Sequence, residues 1–270
     1  MAIELGSVQG ATEEVKDYTG GGSFIWETDV HEVTIKHCYC VVAKSGAQAF
    51  HWRFENTNGK EYKEDAYFVG KNGGFTYPVK KDGKPTGKTR HTPGFSMCAS
   101  IVACAFPESF KEFIADESNG KTPTERYENF FVAACASCEP GTVPKWDWDL
   151  KKDVLTEVED VMKNIIGKKI SLSIQTSLVN GQSKNSKGDY VDVAGDDKEV
   201  NSMQNAFTVD GFSAAEMMAG VTEPVIMEGW IKNNKGKVRD ARKIKDGGTT
   251  GGQQSGNSGN QPSKTKNMFS

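Results

Sequence analysis

Strict alternation of apolar and polar positions dominates the first third of the chain. From Asp29 to about Lys44, His31, Val33, Ile35, His37, Tyr39 and Val41 fall on one face of a predicted strand. Ser45-Gly46 then turns the chain into a second strand, with Phe50, Trp52 and Phe54 on one face and His51 and Arg53 on the other. Asn58-Gly59 turns it again, into a third strand through Tyr62 and Phe68. Together these predict an antiparallel meander in which Phe50, Trp52 and Phe54 are core and His51 and Arg53 are exposed.

Beyond the meander the pattern becomes mixed. Residues 71–91 are basic and read as a loop, after which Pro93-Gly94 introduces FSMCASIVACAF, a buried helix. A further helix is expected around Glu125 to Ala134, and an extended stretch through Trp146 and Trp148. Leu155 to Ile166 has helical spacing closed by Gly167, and Lys168 to Val179 alternates as a strand. The polar stretch Asn180 to Lys198 reads as a loop, and Asn201 to Val209 as one more strand. Ser213 and Glu216 have the spacing of a capping box for the short helix AAEMMAG. There is no internal repeat. Antiparallel strands interrupted by helices, with long loops, predict a mainly β fold with inserted helices, closed as a small barrel rather than layered as a parallel sheet.

Composition changes this picture at the two ends. The chain of 270 residues is 36% hydrophobic, enough for a substantial core. Residues 1–22 are expected to be an acidic flexible lead ending in Gly20-Gly21-Gly22, residues 23–245 the folded domain, and residues 246–270 a disordered tail rich in Gly, Ser and Gln. No apolar run approaches the ~20 residues of a membrane helix, and the first residues lack the pattern of a signal peptide, so a cytoplasmic protein with no membrane partner is expected. In that compartment Cys38, Cys40, Cys98, Cys104, Cys135 and Cys138 stay reduced and belong in the core. Cys135-Ala-Ser-Cys138 with Cys38-Tyr-Cys40 is the alternative, a zinc knuckle, and reduced core thiols are preferred to it.

Charge points to the chemistry. The net charge is only −3, but residues 1–32 carry −6, residues 71–91 carry +5 and residues 232–245 carry +6. Local distribution, not the total, governs binding of a polyanion. Within the first basic block Phe75 and Tyr77 interleave with Lys71, Lys80, Lys81, Lys84, Lys88 and Arg90. Positive charge that follows a phosphate backbone, combined with flat rings that stack on bases, is what single-stranded nucleic acid requires.

Catalytic motifs are missing. GKPTGKT at 83–89 has three residues between its glycines where a phosphate-cradling loop needs four. No nucleophile elbow occurs, and His31, His37, His51 and His91 lack metal-ligand spacing on a helix. The carboxylate pairs Asp147 with Asp149 and Asp196 with Asp197 read as solvated acids, a metal-dependent nuclease being the alternative. Neither a catalytic residue, a metal nor a cofactor is expected.

The order of DVHEVTIKHCYCVVAKSGAQAFHWRFENTNGKEYKE, GGFTYPVKKDGK with HTPGFS, IIGKKISLSIQ and VTEPVIMEGWIKNNKGKVRDARK resembles the single-stranded DNA-binding proteins of tailed bacteriophages, over roughly residues 24–245. The resemblance implies an OB-fold-like core that coats single strands in phage replication, recombination and repair, without catalysis, in the host cytoplasm. Phe75, Tyr77, Lys80, Lys81, Lys84 and Arg90 would border the strand, and Trp52 or Arg53 would line the groove. The full candidate DNA-contact set adds Lys36, Tyr67, Lys88, Lys235, Lys237 and Arg239. The tail departs from the acidic tip common in this class, since no carboxylate side chain follows Asp246. Lys264, Lys266 and Phe269 instead resemble phage variants whose tail touches host RNA polymerase or replication proteins and stimulates late transcription. A protein-interaction adaptor without catalysis, whose basic segments bind acidic protein surfaces, is a further alternative.

Overall fold

The computed structural model describes residues 25–186 and 188–244. The expected N-terminal lead and the expected tail, with Lys264, Lys266 and Phe269, lie outside the described residues. Antiparallel pairing dominates a mainly β fold. The described residues divide into two units, 25–178 with 199–240, and 179–198 with 241–244.

The first unit is built on the meander β1 (Asp29–Val42), β2 (Gln48–Asn56) and β3 (Glu61–Val69). As expected, Phe50, Trp52 and Phe54 are fully buried. They form an aromatic row with Phe68, which stacks on Phe50 at 4.8 Å, and with Phe131, edge-on to Phe50 at 6.1 Å. The single face expected for β1 is broken. The register shifts between Ile35 and His37, a bulge that sends Val33, Ile35, Cys38 and Cys40 toward the main core and places Tyr39 in a separate cluster with Val143 and Val161. One inserted residue reverses every side chain that follows it, which is why the alternation from His31 to Val41 does not hold.

Helix α1 (Pro93–Ala105) covers the aromatic row. Thr92 caps it by accepting from the Phe95 N–H at 3.2 Å, and Pro93 sits where a missing N–H costs nothing. Nearly every side of this helix is buried, and its small residues allow close packing on β3. Gly94 is the closest point: a Cβ there would overlap the Tyr67 backbone. Two helices follow. The first, α2 (Pro107–Ala115), is not among the elements expected from the sequence. The second, α3 (Pro123–Ala136), starts on a capping box of Thr122 and Glu125 and brings Phe131 edge-on to Phe95 at 5.1 Å.

Residues 71–91 are not a loop. They contain the hairpin of β4 (Thr76–Lys81) and β5 (Lys84–His91), a two-stranded sheet of its own. Asp82 and Gly83 make its turn with φ of 52° and 77°, the left-handed pair that a two-residue hairpin turn demands. Residues 155–161, expected to be helical, belong to β7 (Lys152–Val161), which pairs with β6 (Glu139–Asp147). Val154, Thr156 and Val158 are β-branched and half-buried, and this period of two prevails over the helical spacing.

Strand β8 (Lys169–Lys184) pairs with β1, and β9 (Tyr190–Phe207) with β8, so the expected 180–198 loop is largely strand. Helix α4 (Ala214–Ala219) carries the expected capping box of Ser213 and Glu216, and α5 (Ile226–Asn234) is a further helix without a counterpart in the expected elements. The two-residue β10 (Arg239–Asp240) runs parallel to β8 at Ser177 and Leu178. The strand path is β10-β8-β1-β2-β3, with β6-β7 joined at β1, and it does not close into the expected barrel.

In the second unit, the Asn180 side chain binds Asp197 at 3.1 Å and the backbone of Lys243 and Ile244. Arg242 pairs with Asp197 at 2.6 Å, and Lys243 with Asp192 at 2.9 Å.

Replacing Gly94 with Ala forces α1 away from β3. The expected loss of stability is about 1–3 kcal/mol, as for other overpacked sites, read as a lower urea midpoint; an unchanged midpoint would contradict this packing.

Candidate nucleic-acid interface

The basic hairpin is anchored at its root. Phe75 and His91 both stack on the buried Phe95 ring, at 4.8 and 4.6 Å. His91 Nε2 also lies 2.6 Å from Glu128 Oε1 of α3, and the Thr92 N–H donates to the Phe75 carbonyl at 2.8 Å. Phe75, expected to be a stacking platform, is therefore partly buried root packing.

Outward from the root the hairpin is exposed. Tyr77 is 43% exposed and lies directly opposite Arg90. Lys81 lies directly opposite Lys84. The irregularity between these two pairs puts its extra residues on β5, so β4 keeps its alternation and Lys81 shares a face with Tyr77. One ring and three cations thus lie together. Lys80 and Lys88 are also exposed, and among the described residues none of Lys80, Lys81, Lys84, Lys88 and Arg90 makes an ion pair. Like charges placed opposite each other on a ladder repel, so the arrangement costs stability in the absence of an anion.

The other expected contacts are arranged differently. Arg53 is not exposed: its side chain retains 13% of its accessible surface, donates to Glu61 through Nε at 2.9 Å and Nη2 at 2.7 Å, and meets Asp153 at 2.8 Å. Burial works against its charge, but the hydrogen bonds and charges of Glu61 and Asp153 outweigh burial and hold its pKa above the ordinary value. Trp52 is fully buried and offers no ring to a groove. His51, also expected to be exposed, is half-buried and bonds Asp65 at 2.7 Å. Lys36 occupies the β1 bulge and pairs with Glu55 at 3.4 Å. Tyr67 is exposed on β3, beside the start of α1.

The second basic segment lies beside the start of β1, where the Gly236 N–H donates to the Thr28 carbonyl at 2.8 Å. Lys235 pairs with Asp29 at 2.6 Å, and the Asp29 hydrogen bond and charge hold its ammonium pKa above the usual value. The Lys237 ammonium donates to the Asn233 carbonyl at 2.6 Å, while its own carbonyl accepts from Thr28 at 2.7 Å and Gln175 at 2.8 Å. Arg239 is exposed on β10.

The acids and thiols have structural roles of their own. Asp147 Oδ1 accepts from the Asp149 and Leu150 N–H groups at 2.9 and 2.8 Å, a turn cap. Among the described residues no group of three or more His, Cys, Asp and Glu side chains is placed to hold a metal ion. The six cysteines are free, and burial pushes the Cys40 and Cys98 thiols up to about 12. No helix of the described residues is long and apolar enough to cross a membrane. No protein-family model matches the chain, and no curated protein is significantly similar to it.

Beside Arg53, His37 Nδ1 is buried and has no hydrogen-bond partner among the described residues. Burial first, then the Arg53 charge, lowers its pKa from 6.5. A depressed folded-state pKa gives stability that is present above the unfolded value of 6.5 and lost as pH falls toward the folded one. Acidification from about pH 7.5 to about pH 5.5 should therefore lower the urea midpoint, and less so for His37→Gln. Equal losses in both proteins would remove His37 as a source.

Proposed function

We propose that the protein binds single-stranded DNA without regard to sequence, in phage replication and recombination, as the resemblance to tailed-phage single-strand binders implies. The observation that supports this reading best is the exposed hairpin, with Lys81 opposite Lys84, Arg90 opposite Tyr77 and no carboxylate paired with these cations among the described residues. A phosphate backbone relieves that repulsion, and Tyr77 offers a face for a base. The unclosed antiparallel sheet is read as a variant of an OB-fold-like core, with the hairpin as its strand-holding arm. Lys235, Lys237 and Arg239 extend the positive track beside the start of β1, and Lys36 and Arg53 serve the fold through their carboxylate partners. Binding favours the single-stranded state by mass action and needs no cofactor.

The segment with Lys264, Lys266 and Phe269 is proposed to contact host RNA polymerase or a replication protein in the host cytoplasm. It has no carboxylate side chain with which to occupy the basic hairpin by charge attraction. Late transcription unchanged after deletion of residues 261–270 would discard that role.

Labelled oligo-dT anisotropy is the suitable assay, because Trp26 and Trp52 are buried and would mute intrinsic quenching. Affinity should fall steeply with salt and resist duplex competitor. Lys81→Ala with Lys84→Ala should lower the log–log salt slope by about 0.7 for each phosphate no longer neutralised. An unchanged slope would take the hairpin out of the interface.

A further inference from the structure

The β6–β7 hairpin concentrates apolar side chains in water. Leu155 is 73% exposed, the most of any large apolar residue described, and Leu150, Trp148 and Trp146 are 59%, 55% and 41% exposed. The two indoles lie edge to face with centroids 6.4 Å apart. In the ladder Trp146 opposes Asp153 and Pro144 opposes Leu155, so Trp146 and Leu155 share the face turned away from buried Val143. A contiguous exposed patch of this kind marks an interaction site, and tryptophan is enriched among residues that dominate binding energy.

Charge decides which partner fits. Residues 139–161 hold seven carboxylates and three lysines, net −4. Asp153 is matched by Arg53 and Lys63, and Glu139 by Lys163. Asp149, Glu157 and Glu159 are exposed and make no ion pair among the described residues. Such a field repels a phosphate backbone at close range, so nucleobases are poor occupants despite the two indoles.

We infer that the outer face and turn of β6–β7 dock a cationic polypeptide segment, carrying an aliphatic or aromatic anchor, supplied by another protein. The anchor seats on Trp146, Trp148 and Leu155, and its flanking lysines or arginines meet Asp149, Glu157 and Glu159. This surface is separate from the basic hairpin and does not rest on the DNA-binding proposal.

An NMR titration of the isotope-labelled full chain tests it, with the indole N–H signals assigned through W146F and W148F. The probe is a short amphipathic lysine–leucine peptide, with all-lysine and glutamate–leucine peptides of equal length as controls. Both indole signals should move with the lysine–leucine peptide and hardly with the controls. Combining D149N, E157Q and E159Q should weaken that binding about tenfold. An equal response to the all-lysine peptide would overturn the proposal. So would movement of these two signals with oligo-dT, which would assign the face to nucleic acid. Shifts that follow protein concentration alone would overturn it too, assigning the face to a second copy of this chain.

Discussion

Burial of Phe50, Trp52 and Phe54 on one face of β2 is the constraint from which the rest follows. Because strand side chains alternate, committing those three rings to the core fixes His51 and Arg53 on the opposite face. Removing the guanidinium from water without compensation would be costly, and Glu61 and Asp153 supply the compensation. Asp153 belongs to β7, so the need for a partner draws the β6–β7 hairpin against the meander, with Tyr39, Val143 and Val161 packing beside it. Both faces of the meander are thereby occupied, one by α1 and α3, the other by a charged and apolar layer.

That occupancy bears on function. A single strand laid on a bare sheet face would need exposed rings and unpaired cations there, and this sheet has its rings inside and Arg53 matched. The β4–β5 hairpin has the opposite character. Its root is fixed by Phe75, His91 and Phe95, and its outer part presents Tyr77, Arg90, Lys81 and Lys84 with no acid partner among the described residues. Strand contact is proposed for this arm because its electrostatic repulsion is unresolved within the fold. The acidic, aromatic β6–β7 hairpin supplies a second surface of opposite sign, which separates a proposed nucleic-acid arm from a proposed protein-docking arm on one chain.

The parts legible in the sequence were those governed by local chemistry. Asn58-Gly59 set a turn, Pro93-Gly94 introduced a helix, and Ser213 with Glu216 capped another, each through neighbours close along the chain. The Asp82-Gly83 turn was equally local, but the prolines, glycines and lysines around it obscured the short strands. Residues 154–161 fit both a helical and a strand period, and pairing with β6 decided between them. The polar arm of β8 and β9 carries little apolar alternation to reveal it. The bulge at Lys36 has no local signature, and Asp153, which meets Arg53, lies far along the chain. The ion pairs of Arg53 with Glu61 and Asp153 are therefore visible only in the tertiary structure.

Hydrogen exchange of the full chain, followed by mass spectrometry with and without oligo-dT, tests strand capture by the β4–β5 hairpin most directly. Exchange should slow across residues 76–91, with a smaller effect at 235–239 and none over β6–β7. Protection confined to β2, with residues 76–91 exchanging as in the free protein, would contradict capture by the hairpin and return the strand to the sheet face.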